Sequence, residues 1–310
     1  MDRPPAETGE SATASRRLVM NPTSGGGDHV EEVRRRAVER GFEVVETERA
    51  GHAAELAEAA AADGVDLLAV AGGDGTIHEV VEGLVAADAL DSVTLCVVPV
   101  GTANILADDL GIDGIAEGFE VAERGELRRL DLGFAGDEPF VLSAIAGLPA
   151  DTSAAATHGL KDRLGSLAFV VTAVEESLSF DGIRVEIDAE VGAVDREWSG
   201  EAVAVLVGNA RGFATPGGRG DAEDGLLEVT VIDEIPARNA IAEVIEERLL
   251  DWDADHVTEL RARRIDFASL EDEPVTFSLD GEIRTFEDVT LDVRPSALQV
   301  RVGDDYEPGG

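Results

Sequence analysis

The run Val65-Asp66-Leu67-Leu68-Ala69-Val70-Ala71-Gly72-Gly73-Asp74-Gly75-Thr76-Ile77-His78-Glu79-Val80-Val81-Glu82-Gly83-Leu84 decides how this chain is read. Its first seven residues form a near-continuous apolar stretch, the pattern of a strand buried on both faces of a parallel sheet. Ile77, Val80, Val81 and Leu84 then recur at helical spacing and give the second half an apolar face. The glycines therefore fall in a strand-to-helix turn, where bare N–H groups point outward beside the positive end of a helix dipole. Such a turn binds anions, phosphate above all. Asp74 within it would repel a phosphate unless a cation lay between, which suggests Mg²⁺ bridging carboxylate and phosphate oxygens. From this stretch alone, a tight turn needing glycine for positive φ, with Asp74 as a helix cap, reads equally well.

Outward from this stretch, the pattern repeats. Arg17 to Asn21 reads as a strand broken by Pro22-Thr23-Ser24-Gly25-Gly26-Gly27, and Val30 to Arg40 as a helix ended by Gly41. Phe42 to Thr47 is a second strand and Ala53 to Ala62 an alanine-rich helix. Leu95 to Pro99 is a fourth strand, followed by Val100-Gly101-Thr102-Ala103-Asn104. Strands alternating with helices at this spacing predict a doubly wound α/β domain with ligands at the carboxyl ends of its strands. Three glycine-bearing turns, after Asn21, Ala71 and Pro99, all fall at such ends and are expected to converge on one crevice.

From about Arg128 the texture changes. Ile183–Ile187, Val203–Val207, Leu227–Val231, Val275–Leu279 and Leu291–Val293 alternate apolar and polar residues. That alternation predicts antiparallel sheets with one buried face, arranged as a sandwich. Leu160 to Leu178 and Arg238 to Leu250 carry helical apolar patterns. The expected organisation is a tail over 1–15, an α/β nucleotide domain over 16–132, a β-sandwich acceptor domain over 133–303 and an acidic tail over 304–310.

Composition narrows the function classes. The chain has 310 residues and a formal net charge of −40, with 65 acidic against 25 basic side chains, while 44 % of residues are hydrophobic. Lys161 is the single lysine. This is the balance of a folded protein kept soluble in concentrated salt, where a short Debye length screens self-repulsion; an extreme halophile's cytosol is the expected setting. Such a surface excludes nucleic acid as a partner. Cys96 lies in an apolar run with no second cysteine for a disulfide, and reads as a core residue. The five histidines, His29, His52, His78, His158 and His256, show no metal-ligand spacing. No apolar stretch approaches the ~20 residues of a membrane span, and the polar N-terminus lacks the apolar core of a signal peptide.

Several elements together, in order, resemble the diacylglycerol kinase catalytic family, in its bacterial-type lipid kinase branch related to sphingosine and ceramide kinases. They are Asn21-Pro22-Thr23-Ser24-Gly25, Gly72-Gly73-Asp74-Gly75-Thr76 with His78-Glu79-Val80, Pro99-Val100-Gly101-Thr102-Ala103-Asn104, and Leu130-Asp131-Leu132-Gly133. Lys161 to Phe169, Asp224-Gly225-Leu226-Leu227 and Asp280-Gly281-Glu282 complete the set. The Gly-Gly-Asp-Gly-Thr turn is shared with NAD kinases and phosphofructokinases; the Gly-Thr-x-Asn element and the late Asp-Gly-Glu narrow the resemblance.

The resemblance implies an ATP- and Mg²⁺-dependent kinase acting on a lipid alcohol such as diacylglycerol. It also implies a cytoplasmic protein peripheral to the membrane surface, and a homodimer is compatible with it. Asn21, Pro22, Ser24, Gly25, Gly72, Gly73, Gly75, Thr76, Gly101, Thr102 and Asn104 would cradle the nucleotide. Asp74 and Asp131 would belong to a carboxylate–water–Mg²⁺ network near the triphosphate, with Asp74 counted among the catalytic groups. Glu282 would be the general base, where a hairpin turn with a solvated acid is the plainer alternative. Asp224, with the carbonyls of Asp221 and Leu226, would hold a second, structural metal; a surface turn with an acid is the plainer alternative.

Two departures stand out. Gly26-Gly27-Asp28-His29 offers no permanent cation where the family often has one, so phosphate binding must lean on backbone amides, on Mg²⁺ or on an arginine from elsewhere. Gly147-Leu148-Pro149-Ala150-Asp151 places proline in the expected Gly-x-Gly-x-Asp loop, removing an N–H. A NAD kinase-like metabolite kinase and a catalytically silent nucleotide sensor are the rival readings.

Overall fold

The computed structural model describes residues 15–147, 183–191, 194–209, 221–233, 257–270 and 274–308. Of the sequence-based expectations, the helices over 160–178 and 238–250, Lys161 and the loop from Leu148 to Asp151 lie outside them.

The first domain follows the alternation read from the sequence. Strand β1 (Arg16–Met20) leads to helix α1 (Val30–Glu39), β2 (Glu43–Glu46) to α2 (His52–Ala62), and β3 (Leu67–Gly72) to α3 (Asp74–Ala86). Strand β4 (Thr94–Pro99) is followed by α4 (Ile105–Asp109) and α5 (Ile115–Arg124). The strands stand in the order β2-β1-β3-β4, all parallel. Every residue of β3 is buried, as a central strand covered by helices on both faces must be. Apolar faces of α2 and α3 cover one side of the sheet around Leu68, Val70, Val80 and Leu84. On the other side α1 and α5 bury Val33, Ala37 and Phe119 against Leu18, Ala69 and Val98.

Beyond α5 the chain runs through β5 (Glu126–Ala135), β6 (Glu138–Phe140), β7 (Ser143–Ala146), β8 (Ile183–Val191), β9 (Val194–Ala202), β10 (Ala204–Gly208), β11 (Leu227–Ile232) and β12 (Val257–Ala262). It continues with β13 (Arg264–Ser269), β14 (Val275–Leu279), β15 (Glu282–Phe286) and β16 (Asp288–Val302). One layer is the antiparallel sheet β12-β11-β10-β7-β14-β15. It packs on β13, β8 and the first half of β16 through a core including Val205, Val229, Phe277, Ile187, Phe267 and Leu291. Phe267 and Phe277 meet edge to face across the two layers, ring centroids 5.0 Å apart. The expected sandwich is present.

Its second layer, however, is not a separate sheet. Strand β16 pairs with β13, then bulges between Arg294 and Leu298, and its end runs parallel to β4, so the two domains share one ten-stranded sheet. Leu298, Val300 and Val302 accordingly belong to the first domain's core. A single cut at 132/133 misses this, because alternation in Leu291–Val293 marks a strand without showing that it runs on for another nine residues into the other domain.

Candidate active site

The three glycine turns meet. A cleft of about 530 Å³ at the carboxyl ends of β1, β2, β3 and β4 is lined by Asn21, Thr23, Ser24, Gly25, Gly73, Gly75, Thr76, Gly101, Thr102 and Glu282. The chain can close this far only where side chains are absent. A Cβ on Gly25 would stand 2.3 Å from the Val100 carbonyl oxygen, and one on Gly101 would stand 2.4 Å from Gly73 Cα. Gly25 also has φ +54°, a left-handed conformation costly for other residues. The glycines thus serve loop-to-loop packing as well as exposure of backbone N–H groups.

Polar side chains lock the same contacts. Asn21 Oδ1 accepts from the N–H and hydroxyl of Thr23 at 3.0 and 2.9 Å, shaping the first turn. Its Nδ2 donates to Thr76 Oγ1 at 3.1 Å, tying the first turn to the second. Asp74 does not cap its own helix. Its carboxylate accepts from the N–H groups of Ile105 and Leu106 at 3.2 and 3.1 Å, capping the helix that follows the third turn. Asn104 sits at φ +53° and donates to the Gly101 carbonyl at 3.1 Å, supporting the third turn from behind. Pro22, Gly72, Asp74 and Asn104 do not line the cleft themselves; the last three shape it.

Glu282 arrives from the far end of the chain. Asp280 (φ +49°) and Gly281 (φ +103°) form the two-residue turn of the β14–β15 hairpin, a conformation suited to an Asp-Gly pair. The hairpin turn of the plainer reading is present, and the side chain of its acid is half exposed and lines the cleft. Asp280 fixes this turn to the first strands of the domain. Its oxygens accept from the N–H groups of Val141, Leu142 and Ser143 at 2.6, 2.8 and 2.8 Å.

Asp131 belongs elsewhere than expected. It is fully buried, does not line the cleft, and accepts from Gly225 N–H at 2.6 Å and Ser296 N–H at 2.8 Å. It thus joins the 221–226 loop to the bulge of β16. Burial raises its pKa, and the nearby Asp224 and Asp221 add to the rise. The positions expected to serve two metal sites, Asp131 in one and Asp221, Asp224 and Leu226 in the other, form a single cluster. Within it Asp224 pairs with Arg261 and accepts from Leu226 N–H at 2.9 Å, while Asp221 Oδ1 accepts from Glu223 N–H at 3.0 Å. Glu228 Oε2 is buried there without a hydrogen-bond partner. Among the described residues, no group of three or more acidic, histidine or cysteine side chains is arranged to enclose a metal ion.

Sequence reasoning missed one wall of the cleft. Thr47, Glu48, Arg49 and Ala50, from the loop after β2, and Glu79 on α3 complete the lining. Among the described residues that line the cleft, Arg49 is the one arginine or lysine. It is held by Glu55, with guanidinium–carboxylate contacts of 2.6 and 2.7 Å. The rule that ligands sit beyond strand carboxyl ends applies to β2 as to its neighbours; the loop escaped notice because it lacks a run of glycines. With Glu48, Glu79 and Glu282 against Arg49, the cleft is acidic, and an anion entering it would be repelled unless a cation offset the charge.

Comparison with known proteins agrees with this geometry. Residues 16–135 match the family model described as the diacylglycerol kinase catalytic domain, and residues 143–302 that described as the YegS C-terminal NAD kinase beta sandwich-like domain. The chain is 29% identical over 281 residues to the diacylglycerol kinase of Bacillus subtilis, covering 86% of this chain and 89% of that protein. It is 27% identical over 262 residues to lipid kinase YegS of Escherichia coli K12, covering 82% and 84% respectively. The crystal structure of a diacylglycerol kinase from Bacillus anthracis superposes with a TM-score of 0.71 at 18% identity, covering 96% of this chain and all of that one, which shows a shared fold. Among the described residues no helix is long and apolar enough to cross a membrane. The chain belongs to the family that carries a YegS-type C-terminal NAD kinase beta sandwich-like domain, joined here to a segment that matches the diacylglycerol kinase catalytic domain, and its relatives are named as diacylglycerol and lipid kinases.

Proposed function

We propose that this protein transfers the γ-phosphoryl group of ATP, with Mg²⁺, to the hydroxyl of a lipid alcohol such as diacylglycerol, working from the cytoplasm at the membrane surface. The observation that carries the reading is the meeting of three glycine turns and Glu282 on one cleft. Phosphoryl transfer depends on positioning and charge stabilisation, with little covalent work for the protein. The backbone N–H groups around Gly25, Gly73 and Gly101 hold the phosphates, and Arg49 contributes a cation. Each Asp74 oxygen keeps a lone pair beyond the one it spends on α4, so Asp74 fits a water-mediated hold on the metal. Mg²⁺ bound there would neutralise charge on the phosphate oxygens.

Glu282 takes the proton of the lipid hydroxyl as its oxygen bonds to the γ-phosphorus, and the bond from that phosphorus to the β–γ bridging oxygen breaks to release ADP. The excess of surface carboxylates suits a cytosol of molar salt. Incubation of the protein with labelled ATP, Mg²⁺ and total lipid extract in concentrated KCl tests the reading. A labelled phospholipid is expected from the wild type and none from Glu282→Gln, with ATP binding retained. Labelling of NAD and of no lipid would overturn it.

A further inference from the structure

The helix that begins at Asp74 also carries a buried histidine that the proposed chemistry does not use. His78 is 2 % exposed. Its Nδ1 stands 3.0 Å from Asp280 Oδ2, and its Nε2 faces Glu82 Oε1 at 3.4 Å. Asp280 comes from the other domain, 202 residues away, and is two residues from Glu282. The charges continue. Glu82 Oε1 meets Arg284 at 3.1 Å, and the same guanidinium lies 3.9 Å from Glu282 Oε2 and 3.4 Å from Glu138 on β6. The chain Asp280, His78, Glu82, Arg284, Glu282 thus starts at the hairpin turn, passes through the nucleotide domain and returns to the glutamate at the cleft.

We propose that His78 is a positioning residue: it latches the Asp280-Gly281-Glu282 turn onto the helix behind the nucleotide loop and so sets where Glu282 stands over the cleft. The proposal rests on the reading of Glu282 as the base. Neither partner is stable in this position alone, because a buried carboxylate or imidazolium without a counter-charge is costly. Burial works against the charged imidazole, but the Asp280 and Glu82 carboxylates outweigh it and raise its pKa to about 9. Asp280 and Glu82 face the ring directly, with Arg284 and Glu138 behind Glu82. Loss of the Nε2 proton would turn a lone pair toward Glu82 and weaken the latch without breaking the Nδ1–H bond to Asp280.

His78→Leu and His78→Gln test this, read by lipid phosphorylation across pH and by hydrogen exchange of the hairpin amides. His78→Leu is expected to lower kcat at least about tenfold with KM for ATP nearly unchanged, and to speed exchange over 280–284 while β3 stays protected. His78→Gln can still donate to Asp280, so it should recover most of the rate at neutral pH and lack the alkaline fall expected of the wild type near pH 9. Wild-type kcat or hairpin exchange in His78→Leu, or an alkaline fall retained in His78→Gln, would overturn the latch. A wild type that phosphorylates no lipid, with hairpin exchange still accelerated in His78→Leu, would support the latch and overturn the reading of Glu282.

Discussion

Gly101 and Gly73 touch backbone to backbone: a Cβ on Gly101 would lie 2.4 Å from Gly73 Cα and 2.8 Å from Asn104 Oδ1. Gly73 Cα is backbone and cannot swing away, whatever the Asn104 side chain does. Gly101→Ala therefore should push the second and third turns apart, at a cost of about 1–3 kcal/mol in stability. ATP affinity should fall at least about tenfold, since each 1.4 kcal/mol is a factor of ten. Calorimetric titration with Mg-ATP and a thermal melt check both.

Among the described residues that line the proposed nucleotide cleft, Arg49 is the one arginine or lysine, and Glu55 holds it. Arg49→Ala is expected to raise KM for ATP about tenfold with kcat little changed, the signature of lost uniform binding. Glu55→Gln should lower KM by freeing the guanidinium. Both variants should melt close to the wild type, because an exposed ion pair contributes little to stability. Steady-state kinetics at fixed salt measures the effect; identical KM values in all three proteins would remove Arg49 from the site.

Asp131 acts as a buried staple between the 221–226 loop and the β16 bulge. Asparagine there has one acceptor oxygen for two N–H groups, and its amide would face a donor with another donor. Asp131→Asn is expected to lose about 1–3 kcal/mol, measured by denaturant titration. A variant as stable as the wild type that loses Mg²⁺ dependence would return Asp131 to a metal-binding role.

His78 also ties stability to pH. Its folded pKa of about 9 lies above its ordinary value of 6.5. The stabilisation is therefore complete below about pH 6.5 and lost as pH rises through about 9. The upper bound is roughly 3 kcal/mol. Denaturant midpoints at pH 7 and 10 should differ in the wild type and converge in His78→Gln.

The net charge of −40 makes the fold depend on salt. Screening lengths shrink from about 10 Å at 0.1 M to about 3 Å at 1 M, so the melting temperature should climb with KCl over that range and beyond. A circular-dichroism melt that is flat in KCl would remove the argument for a saline cytosol.

Much of the first domain was legible because each local signal agreed with its neighbours. Leu67 to Ala71 could only be a doubly covered strand, and the glycine turns at Gly25, Gly73 and Gly101 all fell at strand carboxyl ends. Their convergence followed from topology alone. The loop from Thr47 to Ala50 stayed hidden because it carries no run of glycines and arginines are spread through the chain. The path of β16 was equally hidden, since a period of two records which face a residue occupies and not which strand lies beside it.

What the sequence determined by itself was the chemistry available: glycine turns at strand ends, an acid set in one of them, an Asp-Gly hairpin with a glutamate after it, and a strongly acidic composition. Tertiary structure alone decided the partnerships. It turned Asp74 toward Ile105 and Leu106, set Asp131 beside Gly225 and Ser296, and brought His78 to Asp280 across 202 residues. The reason is physical. Periodicity and turn preference are properties of neighbours in the chain, whereas a buried carboxylate is satisfied by whichever donors the packed core brings within about 3 Å.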